Sequence, residues 1–243
     1  MRMLRRWIIL LLLAVLALQL FFVLRIAVMA VVAPQSTSFE RSEAWRILSE
    51  HGRLRWRQKW VDYAQIPDDL KRAVISSEDD GFAYHEGVDW DALEKAWQVN
   101  AKTETLKATQ SGNNLKGAAT AKLVGASTIT QQLAKNLFLS GERNLWRKAQ
   151  EFVLTYLLEM LLDKKRILEI YLNHVEWGEG VFGAEAAAQH YFRKPVSALT
   201  TLEASRLAVM LPRPRYFEKL PNSNYLAERS LVIANRLWTA ELP

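Results

Sequence analysis

The sequence predicts an all-α globular domain held by one N-terminal transmembrane helix. An apolar run follows a basic start, helical periodicity extends from Pro67 nearly to the C-terminus, and few stretches alternate with the period of a strand. The 243 residues suffice for one span and one domain with its own core. Half of them are apolar and 24% charged, which excludes disordered and fibrous classes. There is no cysteine, so disulfides and thiolate metal sites are excluded. The net charge of +6 favours an anionic partner: lipid headgroups, a phosphorylated substrate or nucleic acid. The apolar N-terminus turns that choice away from nucleic acid.

From Trp7 to Leu24 the chain is apolar except for Gln19, and after Arg25 it is apolar again from Ile26 to Ala33. A run of this length suits a hydrocarbon core of roughly 30 Å. Arg2, Arg5 and Arg6 precede it and hold that end in the cytoplasm by the positive-inside rule. The alternative is a cleaved secretory signal, but signal cores are shorter and no small-residue cleavage site follows at the right distance. Residues 1–33 therefore read as a cytoplasmic stub and anchor, with Arg25 snorkelling toward the outer interface.

Residues 34–59 read as a juxtamembrane connector, opened by Pro34 and the polar run Gln35 to Ser38. Basic residues alternate with tryptophans from Arg53 to Trp60, which suits either a headgroup-level segment or a strand with one buried face. A domain then spans 60–243. Pro67 and Asp68 open a helix to about Ser77, and Asp89 is placed to cap a second from Trp90 to about Asn100. Residues 101–122, rich in Thr, Gly, Asn, Ala and Lys, read as a long mobile loop. Helices resume at about 129–139, 145–163, 164–173, 182–191, 200–211 and 225–240, without internal repeats.

Three segments carry candidate chemistry. Glu78 to Asp89 gathers acids, Phe82, His85 and two glycines between two helices, and Glu78 ends an apolar helix, where a carboxylate opposes the dipole. In the second segment Thr128 and Gln131 have capping-box spacing. Thr128, Gln132 and Lys135 share one helix face, opposite the core stripe Ile129, Leu133 and Leu137. That polar face reads either as a solvated surface or as donors for phosphate and sugar oxygens, beside the free N–H groups of a helix start. The third segment places Arg147, Glu151, Thr155 and Glu159 four residues apart along a helix otherwise fit for burial. An Arg147–Glu151 ion pair would account for part of that stripe, but Lys148 and Glu159 add further charge.

Together these segments resemble the peptidoglycan glycosyltransferases, also found as the transglycosylase domain of class A penicillin-binding proteins. Five motifs occur in the family's order. Glu78-Asp79-x-x-Phe82-x-x-His85-x-Gly87-x-Asp89 is followed by Ser127-Thr128-Ile129-Thr130-Gln131-Gln132-x-x-Lys135-Asn136 and by Arg147-Lys148-x-x-Glu151. Ile167-Leu168-Glu169-x-Tyr171-Leu172-Asn173 and a stretch from Ala186 through Tyr191 to Glu203 complete the set. The match runs from about Trp60 to Pro214 and is nearest the monofunctional members; no Ser-x-x-Lys of a transpeptidase is present. Ala126 stands where the family has glycine, and the 101–122 loop is longer than usual.

The resemblance implies a lysozyme-like fold and polymerisation of lipid II into a β-1,4-linked glycan with release of polyprenyl pyrophosphate. It implies Glu78 as general base and Glu151 as the second catalytic glutamate. Asp79, Phe82, His85, Ser127, Thr128, Gln131, Gln132, Lys135, Asn136, Arg147 and Lys148 are then expected to bind substrate and pyrophosphate. No cofactor is required, although a divalent cation, magnesium or manganese, could assist at the pyrophosphate. Expected partners are lipid II, the growing lipid-linked glycan, membrane lipids and other cell-wall synthesis or division proteins. The expected location is the cytoplasmic (inner) membrane with the domain in the periplasm. A lytic enzyme of the same fold class and a non-catalytic membrane scaffold are the competing readings.

Overall fold

The computed structural model describes residues 2–111, 127–139 and 145–243. Helix α1 (Arg2–Met29) is continuous through Arg25. Its 28 residues give a length of about 42 Å, more than a hydrocarbon core demands. Its N-terminal part is bare, and its C-terminal end docks on the globular domain: Ile26 and Met29 are buried. Phe22 packs edge-on against Phe138 at 5.4 Å, and the Arg166 Nε–H donates to the Met29 carbonyl at 2.7 Å. The single apolar helix thus fits a single-pass anchor.

The connector is more ordered than its polar opening predicts. Thr37 and Glu40 form a reciprocal capping box, and Gly52, at φ +65°, stops the helix they start, α2 (Ser38–His51). Glu40 and His174 are both buried and lie 2.8 Å apart, while the other ring nitrogen of His174 donates to the Pro34 carbonyl at 3.1 Å. This pair fastens α2 to the domain.

Within the Arg53–Trp60 segment two residues form a strand. Arg57–Gln58 (β1) pairs in parallel with Val181–Phe182 (β3), which pairs antiparallel with Glu176–Gly178 (β2). Trp56 stacks on Phe182 at 4.5 Å, and Arg166 lies 5.4 Å over the Trp60 ring. Gly180 is required where β1 approaches: at φ +72° its Cβ would stand 2.1 Å from the Arg55 carbonyl oxygen.

The remaining described elements are helical. Besides three short 3-10 turns they are α3 (Asp68–Glu78), α4 (Trp90–Ser111), α5 (Ile129–Phe138), α6 (Leu145–Leu161), α7 (Lys164–His174), α8 (Ala184–Phe192), α9 (Thr201–Met210), α10 (Pro214–Glu218) and α11 (Asn224–Arg236). Helices α3, α9 and α11 form one packed group and α5, α6 and α7 another. From Ile167 to His174, α7 is wholly buried. Asn173 staples it to the chain after β1, accepting from the Val61 N–H at 2.8 Å and donating to the Val61 carbonyl at 2.9 Å.

Two expectations change. The stretch 101–122 is not a loop throughout: α4 continues to Ser111, because good helix formers occupy the positions after Asn100 and no glycine intervenes before Gly112. Residues 112–122, and Ala126 with them, lie outside the described residues. Helix α6 is also not simply buried. Glu151 and Thr155 face inward at 3% and 1% exposure, whereas Trp146, Val153, Tyr156 and Met160 stand outside. The polar stripe shares the inner face with Leu154 and Leu158, and an apolar face is left uncovered.

Two outcomes are expected. Removing the carboxylate of the buried pair with Glu40→Ala should cost about 3–5 kcal/mol in denaturant unfolding of the detergent-solubilised chain. Burial pushes the Glu176 carboxyl up to about 7 even though Arg215 donates to it at 2.7 Å. Its folded pKa thus exceeds its unfolded one, so its contribution to stability is present below the usual carboxylate range and is lost as pH rises toward 7. Relative to Glu176→Gln, the wild type should lose up to about 3 kcal/mol across that window; a pH-independent difference would contradict the assignment.

Candidate active site

Glu78 is the last residue of α3, and the chain turns sharply after it. Asp79 organises that turn although it is itself buried. One carboxylate oxygen accepts from the Ile129 N–H at 2.8 Å, at the first turn of α5, and the other is 2.7 Å from His85 Nε2. A carboxylate at a helix start satisfies an otherwise unpaired amide and complements the helix dipole. The Nδ1 of His85 accepts from the Gly87 N–H at 3.1 Å, which leaves the proton on Nε2, toward Asp79. Thr128 caps α5 in a capping box with Gln131 and donates its hydroxyl to the Gly87 carbonyl at 2.6 Å. Gly87 sits at φ +85°, and an added Cβ would fall 2.7 Å from Thr155 and 2.8 Å from Glu159 of α6. Only glycine lets α6 close on this loop.

The frame aligns Glu78 with α5. The Gln132 amide donates to Glu78 at 2.9 Å and accepts from the Tyr171 hydroxyl at 3.0 Å, which fixes which end of the amide faces the acid. Tyr171 is fully buried; burial foremost, and then the nearby Glu78 and Asp79 carboxylates, raise its pKa well above the ordinary value. The hydroxyl therefore remains a donor.

On the other side of Ser127 the chemistry reverses sign. A cavity of about 380 Å³ is lined by Ser127, Gln131, Gln132, Lys135, Asn136, Arg147, Lys148 and Glu151, among others. Glu151 is buried and holds Arg147 at 3.1 Å and Lys148 at 2.5 Å. The ion pair weighed from sequence thus exists, but it presents cations to the cavity rather than consuming them. Lys135 keeps solvent-accessible surface yet stands between the cleft walls. Partial desolvation lowers its pKa, Arg147 and Lys148 lower it further, and Glu151 and Glu78 oppose them. A second cavity of about 360 Å³ is lined by Glu78, Asp79, Asp80, Asp89 and Lys95 and shares Ser127 with the first. The two form a cleft with an acidic end and a cationic end, meeting at the start of α5.

The transglycosylase family profile matches residues 46–237. This chain belongs to the transglycosylase family. It is 50% identical over 228 residues to a biosynthetic peptidoglycan transglycosylase of Burkholderia thailandensis, covering 94% of this chain and 83% of that protein. The protein of the same name from Herminiimonas arsenicoxydans is 49% identical over 238 residues, 98% and 96% of the two chains. Membership makes the all-α domain a lysozyme-like one.

The structure brings Glu78, Ser127, Gln131, Gln132, Lys135, Asn136, Arg147, Lys148 and Glu151 onto the cleft, and Asp79 and Thr128 into its frame. Phe82 and His85 do not reach either cavity. Phe82 is fully buried with Lys164 4.6 Å over its ring, and His85 acts through Asp79. Two contributors went unread in the sequence. Tyr171 orients Gln132, and Lys164 donates to the His85 carbonyl at 2.6 Å while pairing with Glu159 at 2.8 Å. Tyr171 had a signal in the fourth motif; Lys164, at a helix start, had none.

Asp79→Asn keeps the shape but replaces the charge and one acceptor with a donor. It is expected to lower the unfolding free energy by about 1.5–3 kcal/mol, the range for hydrogen bonds to charged groups. An unchanged denaturation midpoint would show that the bond to α5 contributes nothing.

Proposed function

We propose that this transglycosylase polymerises lipid II into β-1,4-linked peptidoglycan strands, with Glu78 as general base. The observation that carries the reading is one cleft with a carboxylate at one end and Lys135, Arg147 and Lys148 at the other. An incoming sugar hydroxyl is a weak nucleophile and needs a carboxylate to take its proton as it attacks. The 4-hydroxyl oxygen bonds to the anomeric carbon of the lipid-linked donor, the bond from that carbon to the pyrophosphate oxygen breaks, and the configuration inverts. The charge then gathering on the pyrophosphate meets the three cations, fixed before the reaction begins.

Glu151 is assigned the task of holding Arg147 and Lys148 in place, and Gln132 that of orienting Glu78. The cationic end does not suit a divalent ion: Glu151 is the one carboxylate among its described lining residues, and both its oxygens are engaged by side-chain cations. The counter-charge in this reading is supplied by the protein.

Location follows from the same chemistry. Arg2, Arg5 and Arg6 support a cytoplasmic N-terminus, with the domain on the outer face of the inner membrane. The exposed apolar face of α6 supports a domain resting in the bilayer surface. Gln150 of that helix exchanges hydrogen bonds with Gln19 of α1 at 3.2 and 3.3 Å, about 15 Å along the anchor from Met29. The cleft is then at the depth of a lipid-linked substrate's pyrophosphate.

The test is incubation of the detergent-solubilised full chain with labelled lipid II, followed by separation of products by size. Wild type should give polymer, and Glu78→Gln should lose about 10²- to 10⁴-fold in rate, the usual worth of a positioned base. Soluble fragments released from cell-wall sacculi, with no polymer from lipid II, would sink the reading in favour of a lytic enzyme.

A further inference from the structure

Where the anchor meets the domain, a groove of about 470 Å³ opens between the end of α1 and the start of α2. It shares no lining residue with either cavity of the cleft. One wall is apolar: Phe21, Leu24 and Val28 lie on an exposed face of α1, the surface that a membrane-spanning helix turns to lipid. Two arginines also line the groove. Arg25 lies on α1 with its guanidinium 5.2 Å over the Phe138 ring, and Arg41 lies on α2. Arg41 is aimed by three hydrogen bonds, to the Ser36 carbonyl at 3.2 Å and to the Ser36 and Ser38 hydroxyls at 3.0 Å each.

Two guanidinium groups lining one groove repel each other, and among the described residues neither forms an ion pair. Glu40, next to Arg41 in sequence, is buried and committed to His174, Gln58 and the Thr37 backbone. Held like charges over an apolar trough call for an anion with a hydrocarbon tail. We infer that this groove binds an anionic membrane phospholipid, its phosphate between Arg25 and Arg41 and one acyl chain along Phe21, Leu24 and Val28. A guanidinium matches a phosphate in geometry, and the trough supplies what a free phosphate could not use. The lipid would brace the junction between α1 and α2 without entering the cleft. The inference rests on α1 being a membrane anchor, and its test reads lipid contact rather than polymer formation, so each reading can fail without the other.

The chain contains no cysteine, so Gln35→Cys places a single fluorophore on the groove rim. The full chain in phosphatidylcholine vesicles would receive equal small amounts of phosphatidylglycerol or phosphatidylcholine bearing a quencher near the headgroup. Quenching by the phosphatidylglycerol probe should dominate at Gln35. Arg41→Gln and Arg25→Gln should each lower that preference about fivefold, the effect of one basic residue at an anionic surface. Arg2, Arg5 and Arg6, at the far end of α1, should be replaceable by glutamine with no change at this site. Three results would overturn the inference: equal quenching by both lipids, a preference that survives loss of both groove arginines, or displacement of the probe by millimolar inorganic phosphate, which would show a site for phosphate alone. Arg41→Lys keeps the charge and loses the fork, so partial retention of the preference distinguishes loss of charge from loss of folding.

Discussion

The cleft depends on one buried carboxylate placed between two elements that the chain forms fifty residues apart. Asp79 accepts from His85 within the turn after α3 and from the Ile129 N–H at the first turn of α5, and the second hydrogen bond joins that turn to the helix that carries Gln132 and Lys135. It is what brings the start of α5, and with it Gln132, beside Glu78. The cost of burying a charge is offset here by two strong donors and by the field at a helix start. Around this bond the frame closes in layers: Thr128 grips the Gly87 carbonyl, Gly87 admits α6, and Lys164 ties the His85 carbonyl to Glu159. Phe82 and His85, which look like ligands in a motif, serve this frame.

Helix α6 shows how the same constraint shapes the outside of the domain. Its polar stripe turns inward because Glu151 is needed to hold cations at the cleft and because Thr155 and Glu159 close on the Gly87 loop. Trp146, Val153, Tyr156 and Met160 are left on the surface, while Leu154 and Leu158 share the inner side with the stripe. In water that would be a liability. Gln150 of the same helix meets Gln19 of α1, so α6 is also a helix that lies against α1.

Much of the fold was legible because its signals are local. The Thr128–Gln131 capping box, the Pro67–Asp68 opening and helical periodicity place α3, α5, α7 and α9 within a residue of their observed ends, while α11, expected to about 240, stops at Arg236. Where reading failed, a weaker local signal competed with composition. The polar opening of α2 hid the Thr37–Glu40 capping box, and threonines and lysines after Asn100 masked a run without a helix breaker. The strand at Arg57–Gln58 is two residues long and exists only because β3, more than a hundred residues later, offers it a partner.

The sequence by itself determined the long apolar N-terminal helix, most of the other helices, the order of the motifs and the identity of the acid at the end of α3. These follow from apolar length, periodicity, capping chemistry and ordered resemblance, all of which are written along the chain. Only the tertiary structure decided which side chains face one another: that Tyr171 orients Gln132, that Lys148 joins Arg147 on Glu151, that α6 buries its polar face, and that Arg25 and Arg41 share a groove. The physical reason is that a side chain's partner is set by how helices pack, and packing joins residues whose separation in sequence carries no trace of their contact.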